Sequence, residues 1–524
     1  MSLLSGQDLI EAGWTEEQLP DLLAEVEMLE AKGIPNPKYI LKLLKKKFPQ
    51  PDRRLPMREQ PLVWGEAIEA VTDADADNVA SVRRYMHDLM RCPVIEGGAI
   101  MPDACPAGNT PATIPVGGVI AARNAILPGA HGADICCSLL GTFFTADTED
   151  VAFMMDELMD STRFGPGGRH PSERVHHRVL EEPVWQNKFL TGLQDHAAAH
   201  MADQGDGNHF AFIGRVRFPE AALDRIRAAG HEDFARSISE QLGAGRDCYA
   251  LVTHHGSRGL GAQLYKRGIK AAEKFTEEIA KDVPQAAAWL SLETEQGAEY
   301  WEALSYVGRW TRANHQTIHD RFLERIDGAA LTSLSTEHNF VWQRGELFLH
   351  GKGATPAWKD ESGKPLMGLI PLNMASPILM VMGRDNPDYL SFAPHGAGRN
   401  FSRRALVRQF RQKDGMMDFA AMNQAMKRST EGIEVRWFLG QADYTECPPG
   451  YKPPAQVRSQ IEQFGLADVL VEFEPLGSIM AGRHPERGEE PLTPKQTRQI
   501  QHRADRRKLR QQLRQAEIPD DEEA

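Results

Sequence analysis

Several features are scarce in this 524-residue chain. It has only six cysteines, Cys92, Cys105, Cys136, Cys137, Cys248 and Cys447, and they lack the paired spacing of a disulfide scaffold. A reducing, cytoplasmic setting is therefore expected. Long apolar runs are missing: stretches such as 377–382 fall far short of the roughly 20 residues that span a bilayer, so no membrane segment is expected. The opening MSLLSGQDLIEAGW carries Asp8 and Glu11 where a secretory signal needs a basic start and an apolar run, which argues against export. A basic excess is missing too. The formal charge of −13 excludes a uniformly basic nucleic-acid coat, although a local positive groove or bound metal ions suffice for phosphate recognition. No internal repeat is visible.

What is present is an ordinary globular composition with 45 glycines, which predicts many tight turns and close backbone approaches. Length predicts roughly two to four domains, or one large core with appendages. Residues 1–55 read as a helical appendage and linker. Leu22, Leu23, Val26 and Leu29 form one apolar stripe, and Tyr39, Leu41, Leu43 and Leu44 another beside Lys42, Lys45, Lys46 and Lys47. Proline spacing over 48–61 suits neither a helix nor a central strand. The body, 62–482, reads as mixed α/β, with a strand at 140–144 and helices at 262–281 and 296–326, the latter carrying Tyr300, Leu304 and Val307 on one face. Residues 483–524 read as a charged, helical or disordered tail. There Lys495, Arg498, Arg503, Arg506, Arg507, Lys508, Arg510 and Arg514 precede DDEE, forming either a solvated helix or an RNA-backbone contact.

The chemistry is carried by metal-ligand residue types set in or beside turns: Asp134 and Cys137 in HGADICCSLLG, His209 in GDGNHF, His254 or His255 in THHGSRGLG, and His338 in STEHNF. Each one alone is more often a core or surface residue than a ligand. Together they suit a binuclear centre, because imidazole, carboxylate and a bridging thiolate complement one another, and paired ions clamp the attacking and leaving oxygens in phosphoryl transfer. Arg258, Lys352 and Arg399 each sit in a glycine-containing turn where backbone N–H groups can approach an oxyanion. His395, in SFAPHGAGRNFSRRA, places a potentially nucleophilic imidazole four residues before Arg399.

In this order the blocks MPD (101–103), PVGGV (115–119), GADICC, GNHF, HHGSRGLG, Ala313-Asn314, HNF, GKGAT and HGAGR resemble the RtcB family of RNA ligases over about residues 85–482. The resemblance implies that Asp134, Cys137, His209, His254 and His338 hold two Mn²⁺ ions, with Cys137 bridging. It selects His254 over His255 because that alignment places Arg258 in the family's His-x-Gly-Ser-Arg pattern. It implies a nucleotide site made by Asn208, Lys352, Asn373, His395, Gly396, Ala397, Gly398 and Arg399, with Arg258 serving RNA phosphate. The implied activity joins RNA 3′-phosphate or 2′,3′-cyclic phosphate ends to 5′-OH ends, as in RNA repair and tRNA splicing, through a guanylylated His395 formed from GTP.

The departures from the family pattern cluster around the base. The family's carboxylate three residues after the GNH histidine is Phe212 here, and its lysine near the chain end is Met480. The loop 371–375 reads PLNMA, and Asp103 is followed by Cys105 where the family has Asp-x-His. Loss of polar contacts to one base predicts an altered base preference as the alternative to GTP. A binuclear phosphoesterase acting on RNA ends and a non-catalytic RNA-binding scaffold are the alternative functions.

Overall fold

The computed structural model describes residues 3–50, 54–108, 110–242, 245–412 and 417–483. The basic stretch expected from Lys495 to Arg514 lies outside the described residues. The chain divides into two units, Met1–Met57 with Lys274–Val283, and Arg58–Glu273 with Pro284–Ala524.

The smaller unit begins with α1 (Gly6–Glu11), α2 (Leu19–Ala31) and α3 (Pro37–Lys47). Ser5 and Asp8 close a capping box on α1, and the Asn36 side chain caps α3 ahead of Pro37. Each cap satisfies helix-end N–H groups and contributes about 1 kcal/mol. Leu9, Trp14, Leu22, Val26, Leu29, Ile40 and Leu44 form its core. The buried stripe of α3 therefore runs through Ile40 and Leu44, while Tyr39, expected on that stripe, is exposed. A helix repeats every 3.6 residues, so Leu44 shares its face with Ile40, four residues earlier, and Tyr39 is turned off that line.

In the larger unit an eight-stranded sheet holds five strands that matter for the site: β1 (Ser138–Thr145), β2 (Phe210–Arg217), β3 (Asp247–His255), β4 (Ala329–Glu337) and β5 (Ala467–Met480). The spatial order runs β5-β2-β3-β1-β4, and Ile378–Gly383 and Met367–Ile370 continue the sheet beyond β5. Alternation along each strand separates two apolar faces. Phe143, Phe212 and Val252 pack with Leu223, Ile226, Phe234 and Ile238 on one side. Phe144, Ile213 and Leu251 pack with Met154, Met155 and Leu158 on the other. A five-stranded sheet carries Ile95–Cys105, Val116–Arg123, Leu347–Lys352 and Asn339–Arg344 in that order, flanked by Gly65–Glu66.

Two long helices complete the frame, α4 (Arg258–Ile279) and α5 (Glu295–Arg325). The Thr294 hydroxyl accepts from Gly297 N–H and starts α5. Burial on α5 is not confined to the face of Tyr300, Leu304 and Val307; Trp310, Asn314, His315, Ile318 and His319 are buried as well. Its enclosed polar residues find partners on the sheet, which is why a one-sided apolar pattern understates how deeply it lies. Among the described residues no helix is long and apolar enough to cross a membrane.

Candidate metal and nucleotide site

Sheet register gathers the metal-type residues. Phe210 lies opposite His254, Leu139 opposite His254, and Ser138 opposite Glu337. His209 just before β2, His254 in β3, Cys137 just before β1 and His338 just after β4 consequently meet at one end of four neighbouring strands. Consecutive strand residues face opposite ways, so His254 and His255 diverge. His254 Nε2 lies 3.2 Å from Cys137 Sγ, whereas His255 stacks on His315 with ring centroids 3.5 Å apart.

The 131–137 loop brings in the fifth residue. Cys137 N–H donates to Asp134 O, Cys136 N–H to Asn339 O, and Asn339 Nδ2–H to Asp134 O, which ties the loop to the strand that follows His338. Cys136 takes a φ of 55° there. Gly256 permits the arrangement, since a Cβ on it would stand 2.1 Å from Asp134 Oδ1.

Two groups of three potential ligands result, Cys137–His254–His338 and Asp134–Cys137–His209, and they share the Cys137 sulfur. Within them His254 Nε2 is 3.1 Å from His338 Nε2, His209 Nε2 is 2.8 Å from Asp134 Oδ2, and Cys137 Sγ is 3.6 Å from His209 Nε2. His254 Nδ1–H donates to Asn208 O over 3.1 Å, which leaves the Nε2 lone pair facing the cluster. The Nδ1 atoms of His209 and His338 are buried without a hydrogen-bond partner. Burial, then His209 and His395, pushes the His254 pKa down to about 3, and burial drives that of His338 well below the usual imidazole range. Both rings are therefore neutral and able to ligate. Burial would raise the pKa of Asp134, but His209, Cys137 and Arg258 hold its carboxylate down at about 2. Burial and Asp134 push the Cys137 thiol well up, a preference that only a directly bound cation reverses. Crowded imidazole nitrogens, one carboxylate and one shared thiol fit a pair of borderline divalent ions.

His395 adjoins this cluster, its ring centroid 4.7 Å from that of His338. Its Nδ1–H donates to Asp103 Oδ2 over 2.6 Å, and Asp103 is fully buried. The bond fixes the tautomer and leaves the Nε2 lone pair unprotonated. A cavity of about 710 Å³ opens here, lined by Asn208, Lys352, Asn373, His395, Gly396, Ala397, Gly398 and Arg399 together with His254, Phe212 and Met480. Burial lowers the Lys352 pKa to about 8, and its Nζ–H donates only weakly to Ile114 O at 3.4 Å. Arg399 is braced by Phe401 O, Thr445 O and the face of Tyr451, and its Nη1, which makes no hydrogen bond, lies 3.5 Å from Glu446 Oε2 in an ion pair. The Asn373 oxygen accepts from Ala375 N–H and Ser376 O–H within its own turn, leaving the amide NH₂ free to donate.

Arg258 lies outside that lining. It opens α4 at a φ of 54°, with Nε 3.8 Å from Asp203 Oδ1. The guanidinium lies against Gly205, where a Cβ would come within 1.9 Å of it. Asp203 is itself pinned by Asn314, which accepts from its N–H and donates to its C=O.

Reading the residue order missed three partners. Asp103 was visible in the MPD block and in the Asp-x-His comparison, but nothing local to it signals a bond to a histidine some 290 positions away. Asn339 follows the HNF histidine and reads as a strand residue. The Thr253 hydroxyl joins His315 Nδ1 and His319 Nε2 at 2.7 and 2.8 Å, and Ser138 Oγ meets His315 Nε2 at 3.1 Å. That polar chain braces the residues next to His254 and Cys137. The i, i+4 spacing of the two histidines on α5 was its only trace in the sequence.

Comparison with known proteins gives a consistent picture. The family model described as tRNA-splicing ligase RtcB matches residues 182–481. A tRNA-splicing ligase RtcB from Thermococcus kodakarensis is 24% identical over 72% of this chain and 86% of its own length. That from Pyrobaculum aerophilum is 26% identical over 70% and 84%. An RNA-splicing ligase RtcB from Escherichia coli is 24% identical over 74% and 90%.

Proposed function

Because this chain belongs to the RtcB family, we propose that it is an RNA ligase that joins 3′-phosphate or 2′,3′-cyclic phosphate ends to 5′-OH ends through a nucleotidylated His395. The observation that carries the reading is the placement of His395, held by Asp103, against two ligand groups that share Cys137. The reading extends to RNA repair or tRNA splicing in the cytoplasm, with GTP as the default nucleotide.

Asp134, Cys137, His209, His254 and His338 would hold two Mn²⁺ ions. Such ions, when bound, neutralise charge on phosphoryl oxygens and position them. The chain's own groups do the rest. Asp103 keeps the proton on Nδ1, so His395 Nε2 attacks the α-phosphorus, forming an N–P bond as the bond to the β-phosphate oxygen breaks and pyrophosphate leaves. Lys352 and Arg399 offset the negative charge of the phosphates, and Asn208 offers its amide to them. An oxygen of the RNA 3′-phosphate then takes the nucleotidyl group, freeing the imidazole. Finally the 5′-OH attacks the 3′-phosphorus, losing its proton and expelling the nucleoside monophosphate. A cyclic phosphate is first opened by water. Arg258 would hold the RNA phosphate, its guanidinium oriented by Asp203.

Intact-protein mass spectrometry after incubation with Mn²⁺ and GTP tests this. A nucleotidyl increment in wild type that is absent from His395→Ala is the expected result. Metal-dependent phosphoester cleavage with no increment from any nucleotide refutes it.

A further inference from the structure

The cavity's walls differ in chemistry. On the wall formed by β2 and β5, Phe210, whose ring centroid also lies 5.2 Å from that of His254, pairs with Met480, and Phe212 pairs with Ser478. Directly opposed residues, and residues two apart, share a sheet face, so these four side chains tile one patch. All four line the cavity, with Met374 and Ile378 beside them. Phe212, Met480 and Ser478 are almost wholly buried.

None of these four side chains is a carboxylate or an amide; an unpartnered amide oxygen, Asn400 Oδ1, does line the cavity, next in the chain to Arg399 and not among the four. Guanine presents N–H donors on its Watson–Crick edge, and a site that selects it must accept them, usually with a carboxylate. Among the described residues lining the cavity the one carboxylate is Glu446, and it is engaged. Its Oε1 accepts from Arg403 Nε–H at 2.7 Å and its Oε2 from Tyr451 O–H at 2.6 Å. Asn339 Oδ1 is taken by Gly353 N–H, and Asn373 Oδ1 by its own turn. The Ser478 hydroxyl can donate or accept and serves either purine equally.

We propose that this wall seats the base of a purine nucleoside triphosphate by apolar burial and does not select guanine over adenine, with Phe212 and Met480 setting that tolerance. The inference rests on the nucleotide-transfer reading above. Purines fill the patch better than pyrimidines because the second ring removes more apolar surface from water. Discrimination of several powers of ten arises where a mismatched base strands a buried polar group, and the only one in this patch, the Ser478 hydroxyl, can turn either to donate or to accept.

The test is competition. Wild-type protein with Mn²⁺ is given equimolar ATP and GTP, and the AMP and GMP adducts are resolved by intact mass. The expected ratio lies within about tenfold of unity; a larger preference for either nucleotide overturns the proposal. Binding of each nucleotide to His395→Ala, followed calorimetrically, separates the two readings. Comparable affinities without any adduct in wild type support base tolerance while removing the transfer chemistry, and no binding of either overturns both. Phe212→Glu supplies the missing acceptor and is expected to move the binding ratio at least about tenfold toward GTP. Met480→Gln, a gentler change in volume, is expected to move it the same way. An unmoved ratio in either variant, once circular dichroism shows it folded, overturns the assignment to these side chains.

Discussion

The cluster of potential ligands and the wall proposed to seat the base belong to one sheet yet obey different rules. At the cluster of potential ligands, donors of three chemical kinds come from four strands and a loop, and hydrogen bonds orient part of the site: His254 through Asn208 O, the Asp134 backbone through Asn339, and His395 through Asp103. At the wall proposed to seat the base, Phe210, Phe212 and Ile378 are fixed by packing, and Ser478 is the one polar member of the four-residue patch. Reacting atoms need directions, and directions need hydrogen bonds. A base held by burial needs only volume, so that wall tolerates change that the ligand cluster does not.

Substitutions should sharpen this contrast. The largest effect is expected for Cys137→Ala, because both ligand groups lose their shared atom. Metal content measured by elemental analysis should fall by both ions, and adduct formation by about a thousandfold or more. Full adduct yield with added Mn²⁺ would show that the two groups are independent. Asp103→Asn comes next: the amide keeps the shape but can donate to Nδ1, favouring the wrong imidazole tautomer. Adduct formation should slow by roughly 10³ to 10⁴ with metal content unchanged. Asn314→Ala is milder. It removes both bonds to the Asp203 backbone, while His200, Arg163 and Gly205 N–H still hold the carboxylate, and so loosens the turn against Arg258, which should cost about 1–3 kcal/mol in denaturant unfolding. It should also raise the KM for RNA ends about tenfold while the nucleotide adduct still forms.

The smallest effect is a pH dependence. Burial lowers the Lys352 pKa to about 8, so the folded chain sheds that proton before the unfolded chain does. Between pH 8 and the ordinary lysine range the unfolded state binds more protons, so this group's destabilising burial is present below pH 8 and relieved as pH rises. Nucleotide capture runs the other way: kcat/KM for adduct formation should be about halved near pH 8 as the ammonium is lost, and Lys352→Arg should remove that inflection. A profile unaltered by the arginine would assign the inflection to another group.

The residues that the fold gathers, Asp134, Cys137, His209, His254 and His338, were legible in the residue order, because they sit beside glycine turns and keep recognisable neighbours, as in GNHF and HHGSRGLG. The strand at 140–144 and both long helices were legible from periodicity, with the α5 boundaries shifted by one residue at each end. Partnerships across the fold were not. Nothing near Asp103 announces His395, and nothing near Asn314 announces Asp203, since such bonds depend on which strands become neighbours. The burial of Ile40 in place of Tyr39 on α3 was missed for a related reason: with two apolar candidates adjacent, tertiary packing decides which one faces inward.

The position of the ligands on four adjacent strands has a consequence for the lifetime of the protein. A chain that has lost its strand pairing scatters Asp134, Cys137, His209, His254 and His338 far apart, so an ion captured by them binds only the folded form. Linkage then makes each ion a staple across the sheet, adding about 2.7 kcal/mol when free metal is a hundred times its dissociation constant. If these residues hold ions as proposed, chelation should lower the melting midpoint and open the strand ends to proteolysis, so that metal starvation would remove the protein as well as silence it.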